Sequence, residues 1–141
     1  MNKLYLDVEF NGTLGGLISL ALYNPTGQGW YEVYDDTSMI YQEWVRINVI
    51  PKLNKKPIGV IDFAQSLREY LTLYNNYTIY ADWPEDFIHL LKMCFGPMGL
   101  KYTEKLHMEM ITTPDTHISK IPHNALADAE ALYLNHQEML K

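Results

Sequence analysis

The chain has 141 residues, a formal net charge of −6 at pH 7, 48% hydrophobic residues and 20% charged residues. At about 100–200 residues per domain, this length predicts one domain over residues 1–141, and the composition excludes wholesale disorder. No apolar run approaches the ~20 residues that a membrane-spanning helix needs, and Asp7 interrupts the apolar start expected of a signal peptide. The single cysteine, Cys94, indicates a reducing compartment, so we expect a soluble cytoplasmic domain with no membrane partner.

The acidic charge balance argues against a protein that grips long nucleic acid through a basic face. Such binding depends on Lys and Arg side chains that replace counterions along the phosphates. The balance does not exclude an enzyme whose carboxylates hold divalent cations. Four carboxylates around two Mg²⁺ ions would form a site that is locally near neutral.

The first third of the chain predicts an antiparallel meander. Residues 3–10 alternate apolar and polar side chains, which is typical of a strand with two different faces. Turn residues at 11–16 and 24–27 separate two further strands, predicted over 17–23 and 29–34. Three sequential strands of this kind need a covering layer of helices.

The remaining elements alternate helices with strands. They are, in chain order, a helix over 38–50, a polar connection over 52–61, a helix over 62–74, a strand over 77–81, a helix over 85–95, a strand over 106–111, a polar loop over 112–122 and a helix over 124–140. Pro51 ends the first helix, Asp62 is the expected N-cap of the second, and Pro84 opens the third. This order predicts an α/β fold with a mixed sheet and helices on both faces.

Asp7 and Glu9 form the first group of chemically active residues. At positions i and i+2 of one strand they project from the same face, where they repel each other unless a cation, a proton or a base neutralises them. The simpler interpretation is the solvent face of an edge strand. The apolar neighbours of the pair, Leu6, Val8 and Phe10, instead favour a central strand.

His123 and Asp128 form the second group, at the start of the last helix. The alanines around Asp128 permit close approach of another element, which an inward-pointing carboxylate requires. The simpler interpretation is that Asn124 caps the helix and Asp128 complements its N-terminus.

Asp82, Glu85 and Asp86 form the third group, at a strand-to-helix junction together with Trp83. Ligands of open α/β sheets gather at the carboxyl ends of strands. For this segment alone, an acidic helix N-terminus is the simpler interpretation.

The ordered set of D-x-E on the first strand, an aspartate at a mid-chain strand–helix junction and H-x4-D at the last helix resembles the DEDDh family of 3′–5′ exonucleases, which have a ribonuclease H-like fold. The resemblance covers essentially the whole chain, because the element order matches as well. The sequence is most similar to the small exoribonuclease-like branch found in bacteria and phages. The strings that carry this likeness are Glu9-Phe10, residues 16–22, Trp44-Val45, residues 48–51 and, most diagnostic, residues 122–129.

The resemblance implies a role for each motif residue. Asp7, Glu9, Asp86 and Asp128 would be the metal-binding carboxylates, holding two divalent cations, Mg²⁺ or Mn²⁺, and His123 would be the general base. Asp86 fits the middle motif better than Asp82, which would then be a secondary ligand or a helix cap. Relatives contact the terminal nucleotide through the segment that here is Phe10, Asn11, Gly12 and Thr13, although the usual Thr is replaced by Phe10. Relatives are often homodimers.

The chemistry of phosphodiester cleavage agrees with this assignment. Two divalent ions about 3.5–4 Å apart activate water, neutralise the phosphate and stabilise the leaving oxygen. Hard Mg²⁺ or Mn²⁺ prefers carboxylate oxygens, and a histidine with a pKa near 6.5 can take a proton at neutral pH. Trp83 and Phe10 are candidates for stacking on an unpaired 3′ base, but core packing is the favoured interpretation of both.

The sequence therefore predicts a metal-dependent 3′–5′ exonuclease that acts on the 3′ end of single-stranded RNA or DNA, with RNA favoured by the resemblance. The alternative class is a non-catalytic ribonuclease H-like binding or interaction module. An endonuclease of the wider superfamily is a third interpretation.

Overall fold

A computed structural model describes residues 2–74, 76–97 and 106–141. They contain a five-stranded mixed sheet in the order β3-β2-β1-β4-β5. β1, β2 and β3 pair antiparallel, whereas β4 runs parallel to β1 and β5 runs parallel to β4, which confirms the predicted mixed α/β sheet. The strands are β1 (Asn2–Phe10), β2 (Leu17–Tyr23), β3 (Trp30–Val33), β4 (Tyr77–Ala81) and β5 (Met108–Met110).

Helices follow the meander and then alternate with the parallel strands. They are α1 (Glu43–Asn48), a short 3-10 turn (Ile50–Lys52), α2 (Val60–Thr72), α3 (Pro84–Phe95) and α4 (Ala125–Met139). Within the described ranges, no helix has both the length and the apolar character needed to cross a membrane.

Two predicted helix starts are wrong. The helix expected over 38–50 begins only at Glu43, because the Asn11 side chain donates to the carbonyl of Ile40 and accepts from the N–H of Gln42, each over 2.8 Å, and Gln42 is extended. The second helix begins at Val60, with Gly59 as N-cap. Asp62 therefore lies in the first turn of α2 and does not cap it.

The alternation of β1 separates two layers of helices. Leu4, Leu6 and Val8 belong to the main core, which contains buried residues of α2 and α3. Tyr5 faces the opposite side and packs with Leu132 of α4. Helices therefore cover both faces of the sheet as predicted, and β1 is a central strand with its next two odd-numbered residues facing the α4 layer.

Candidate active site

A cavity of about 460 Å³ lies between the sheet and α4. Asp7 of β1, Asp82 just after β4, and Asp128 of α4 all line it. These three carboxylates are far apart in the sequence, and the parallel pairing of β1 with β4 brings the first two to neighbouring strands. The remaining lining residues are Thr113, Pro114, Asp115, His117, Ser119, Ala131, Leu132 and Asn135.

Asp7 lies in the cavity in surroundings that disfavour its charged form. Its Oδ2 atom is buried and has no hydrogen-bond partner among the described residues. Burial raises the pKa of Asp7 well above its usual value, and the negative charges of Asp86 and Glu9 raise it further. A buried carboxylate oxygen without a donor is stabilised by a proton or by a cation.

Glu9 projects from the same face of β1 and meets the start of α4. One ligand atom each from Glu9, His123 and Asp128 lie within 4.8 Å of one another, which is compact enough to hold a metal ion. Burial raises the pKa of Glu9 to about 9, with the charge of Asp128 as the second cause. The two acidic residues of β1 therefore lie in a crowded site, which contradicts the interpretation as a solvent-facing edge.

The third acidic group adds Asp86 and Asp82 to the same cluster. Asp86 lies in the first turn of α3 and is only 2% exposed. Burial raises its pKa to about 8, followed by repulsion from Asp82 and Glu85. The pKa of Asp82 is raised as well, mainly because the surrounding protein removes water from its carboxyl group, although the residue as a whole is exposed. The negative charges of Asp82 and Asp86 both raise the pKa of Asp7, and Asp86 has the larger effect.

The start of α4 joins His123 to Asp128. The backbone N–H of His123 donates to Asp128 Oδ2 over 3.1 Å, and His123 has a left-handed φ of 71°. Asn124 is the N-cap, and its side chain accepts from the N–H of Ala127 over 3.1 Å. The capping interpretation of Asn124 is thus confirmed, and it coexists with a position of His123 and Asp128 beside Glu9.

The chemistry of this donor set fits a hard divalent cation. None of the residues that line the 460 Å³ cavity is a lysine or an arginine, so no described side chain there supplies a fixed positive charge. The raised pKa values of Asp7, Glu9 and Asp86 have the same origin, the crowding of buried carboxyl groups. Mg²⁺ or Mn²⁺, which prefer oxygen ligands, would relieve it.

The predicted substrate-binding segment forms a braced loop next to Glu9. Asn11 is bonded to the segment around Ile40 and Gln42, as described above. Gly12 has a φ of 76°, a left-handed conformation that favours glycine, and it lies against the amide end of the Gln42 side chain. A second cavity of about 290 Å³ is lined by Glu9, Phe10, Gly12, Thr13, Gln42, Trp44 and Val45, together with Val8. Contact of this segment with a nucleotide stays a prediction.

The two aromatic candidates for base stacking behave differently. Phe10 packs against the main core and stacks on His89 with ring centres 5.3 Å apart, in line with the core interpretation. Trp83 is 54% exposed, so the core interpretation is wrong for this residue. It is the extended N-cap of α3, and its indole Nε1 donates to Glu85 Oε1 over 3.4 Å.

Several contacts at the site have no local sequence signal. Trp44 is 56% exposed and meets the His123 ring edge-on, with centres 5.0 Å apart. Glu85 Oε2 accepts from the N–H of Leu14 over 2.8 Å and so ties the loop after β1 to α3. Asn135 bonds the loop before α4. These contacts join residues at least 18 positions apart in the sequence, so no pattern among neighbouring residues indicates them.

Comparison with known proteins does not place the chain in a family. No protein-family model matches the sequence, and no curated protein matches it at a significant level. The functional assignment therefore depends on the motif order in the sequence and on the geometry of the site.

Proposed function

We propose that this chain is a metal-dependent 3′–5′ exonuclease of the DEDDh type. The observation that carries the proposal is the convergence of Asp7, Glu9, Asp86 and Asp128 in one largely buried acidic cluster, in which Asp86 is buried and the other three are half-buried, with His123 at its edge. Each of the five sequence motif positions contributes to this cluster. Carboxylates without a common function would not be expected to converge in this way, because their mutual repulsion destabilises the folded protein.

The fold supports a ribonuclease H-like architecture. A three-stranded antiparallel meander is extended by two parallel strands, in the order β3-β2-β1-β4-β5. The carboxylates lie toward the carboxyl ends of β1 and β4, where open α/β sheets place their ligands. The proposed architecture and the proposed site therefore agree with each other.

The carboxylates Asp7, Glu9, Asp86 and Asp128 would hold two Mg²⁺ or Mn²⁺ ions, with Asp82 as a secondary ligand. When bound, the ions activate water and neutralise charge on the phosphate and the leaving oxygen. A ring nitrogen of His123 takes the proton of the attacking water, and the hydrogen bond from its backbone N–H to Asp128 keeps the base next to the ligands.

The substrate of the proposal is the 3′ end of a single strand. The 290 Å³ cavity beside Glu9 offers space for a terminal nucleotide next to the carboxylates, between the loop at Gly12 and the exposed side of Trp44. The net charge of −6 implies few phosphate contacts and an affinity that falls with added salt. The preference for RNA over DNA rests on the family resemblance.

The test uses 5′-labelled single-stranded RNA and DNA of equal sequence with Mn²⁺, Mg²⁺ or EDTA. We expect a ladder that shortens from the 3′ end with either metal and no cleavage in EDTA, and the faster ladder identifies the preferred sugar. Cleavage of a circular single strand would instead establish an endonuclease. No cleavage by folded protein that binds Mn²⁺ would overturn the proposal in favour of a non-catalytic module.

A further inference from the structure

The carboxylates Asp7, Asp82 and Asp128 form only part of the lining of the 460 Å³ cavity. The loop before α4 also lines it, through Thr113, Pro114, Asp115, His117 and Ser119. A volume in the range of about 300–1,000 Å³ is typical of small-molecule pockets. The cavity therefore has room for a ligand that contacts the loop as well as for ions held by the carboxylates.

Asn135 of α4 holds this loop through its backbone. Its Oδ1 accepts from the N–H of Thr116 over 3.0 Å and from the N–H of His117 over 2.6 Å, and its Nδ2 donates to the carbonyl of His117 over 3.1 Å. Asn135 is only 6% exposed. Three short bonds from one buried amide determine the path of the loop at these two residues.

The position of Asn135 on α4 links the loop to the carboxylates. It follows Asp128 by seven residues, close to two full helical turns, so both side chains lie on one face of the helix. Both line the same cavity, and Leu132 lines it between them. One helix therefore fixes the spacing between the Asp128 carboxylate and Asn135, which holds the loop.

Ser119 gives this loop a free polar group. Its Oγ is buried and has no hydrogen-bond partner among the described residues, although the residue lines the cavity. A buried hydroxyl without a partner costs free energy unless a ligand or water bonds it. The loop that Asn135 holds is therefore suited to a polar ligand.

We propose that Asn135 is a positioning residue that holds residues 113–119 as a substrate-binding wall of the cavity that the carboxylates also line. This inference rests on the proposed exonuclease function. Asn135 does not act on the reacting atoms; it acts through the loop. Its loss is therefore expected to weaken substrate binding more than the chemical step.

The experiment compares wild type, Asn135→Ala and the control Asn24→Ala on single-stranded RNA with Mn²⁺. Asn24 is a buried asparagine in the turn between β2 and β3, with side-chain bonds to Thr26 and Tyr74, and it does not line the 460 Å³ cavity. For Asn135→Ala we expect KM to rise about tenfold while kcat changes by less than about twofold. Mn²⁺ affinity by calorimetry should stay at the wild-type value, whereas Asn24→Ala should lower Tm without changing KM.

Hydrogen exchange gives a readout that does not depend on activity. The amides of Thr116 and His117 should exchange faster in Asn135→Ala, since both lose their acceptor, and should be unchanged in Asn24→Ala. An unchanged KM or unchanged exchange at these amides in Asn135→Ala overturns the inference while the exonuclease proposal stands. A wild-type protein that binds Mn²⁺ and does not cleave overturns the exonuclease proposal and the substrate role of the wall together.

Discussion

The backbone N–H of His123 donates to Asp128 Oδ2 across 3.1 Å, so the loop residue and the helix residue of the last motif are joined directly. This bond occupies one oxygen of Asp128 and holds His123 in a left-handed conformation with a φ of 71°. The His123 side chain is thereby directed to the edge of the acidic cluster, where Trp44 packs against it. The proposed base is positioned by its own backbone.

Replacing His123 should separate the chemical step from metal binding. We expect His123→Asn to lower kcat by about 10²–10⁴-fold, because the general base is lost. Asparagine tolerates the left-handed conformation, and the four proposed carboxylate ligands remain, so Tm and Mn²⁺ affinity should stay close to wild type. A lower Mn²⁺ affinity would make His123 a metal ligand together with Glu9 and Asp128. Single-turnover cleavage and calorimetry measure the two effects, and exposed His107→Asn is the control. Wild-type single-turnover rates in His123→Asn would remove this residue from the mechanism.

Removing the charge of Asp7 should have opposite effects on function and on stability. Asp7→Asn is expected to reduce cleavage by more than about 100-fold, the upper end of what outer-shell changes alone produce. The metal-free variant should have a higher Tm than metal-free wild type, since folding no longer buries an ionisable carboxyl group at this position or brings it close to Asp86 and Glu9.

Thermal unfolding with and without Mn²⁺ measures the effects of Asp7→Asn on stability and metal binding. Asp62→Asn, at an exposed position of α2, is the matched control and should behave as wild type. A lower Tm for metal-free Asp7→Asn would contradict the electrostatic account of the site.

Metal removal should make stability depend on pH in a defined direction. The folded-state pKa values of Glu9 and Asp86, about 9 and about 8, lie above the ordinary values of 4.5 and 3.8. The folded protein therefore binds more protons than the unfolded chain, and this contribution to the free energy of unfolding is lost as the pH rises from about 5 to about 9. In EDTA, Tm should fall over this range.

Bound Mn²⁺ should oppose this loss, because metal binding requires the ionised carboxylates. The difference in Tm between Mn²⁺ and EDTA should thus grow from pH 5 to pH 8. A difference that shrinks with rising pH would show that these carboxylates do not hold the metal.

Glu85 should stabilise the fold through the N–H of Leu14. Its Oε2 accepts this bond over 2.8 Å, and Leu14 has a left-handed φ of 60°. Glu85→Ala should lower the free energy of unfolding by about 0.5–1.5 kcal/mol, the net contribution of one hydrogen bond, because Leu14 is exposed and water can replace the lost acceptor. Glu85→Gln retains an acceptor oxygen and should lose less. Urea unfolding measures both, and equal losses would show that the hydrogen bond is not the cause.

Gly12 should not tolerate a side chain. Gly12→Ala is expected to cost about 1–2 kcal/mol from the left-handed backbone alone. The amide end of the Gln42 side chain must also move aside, which costs little because it is the far end of a flexible side chain. Gly59→Ala is the control for an added Cβ, because a Cβ there meets nothing within 4 Å and φ is −70°. Alanine weakens the N-cap of α2, so this control should lose some stability, but less than Gly12→Ala. Thermal unfolding and cleavage rates should both separate the two variants, and equal behaviour would contradict the role of Gly12.

Local rules explain what could be predicted about this fold. The alternation of β1 placed Asp7 and Glu9 on one face, and the cap at Asn124 set the start of α4, because strand periodicity and helix capping act between residues a few positions apart. The same rules failed at the starts of the first two helices. Gly59 caps α2 in place of Asp62, and hydrogen bonds from the Asn11 side chain hold the backbone at Ile40 and Gln42 outside α1.

Tertiary structure alone decided which of these local features meet. The sequence determined the element order and the spacing of the acidic motifs. The order of strands in the sheet and the packing of α4 on one face brought Asp128 to Asp7, exposed Trp83 and placed Asn135 against the loop. Such contacts depend on which apolar faces bury each other, a property of the whole chain that no short segment encodes.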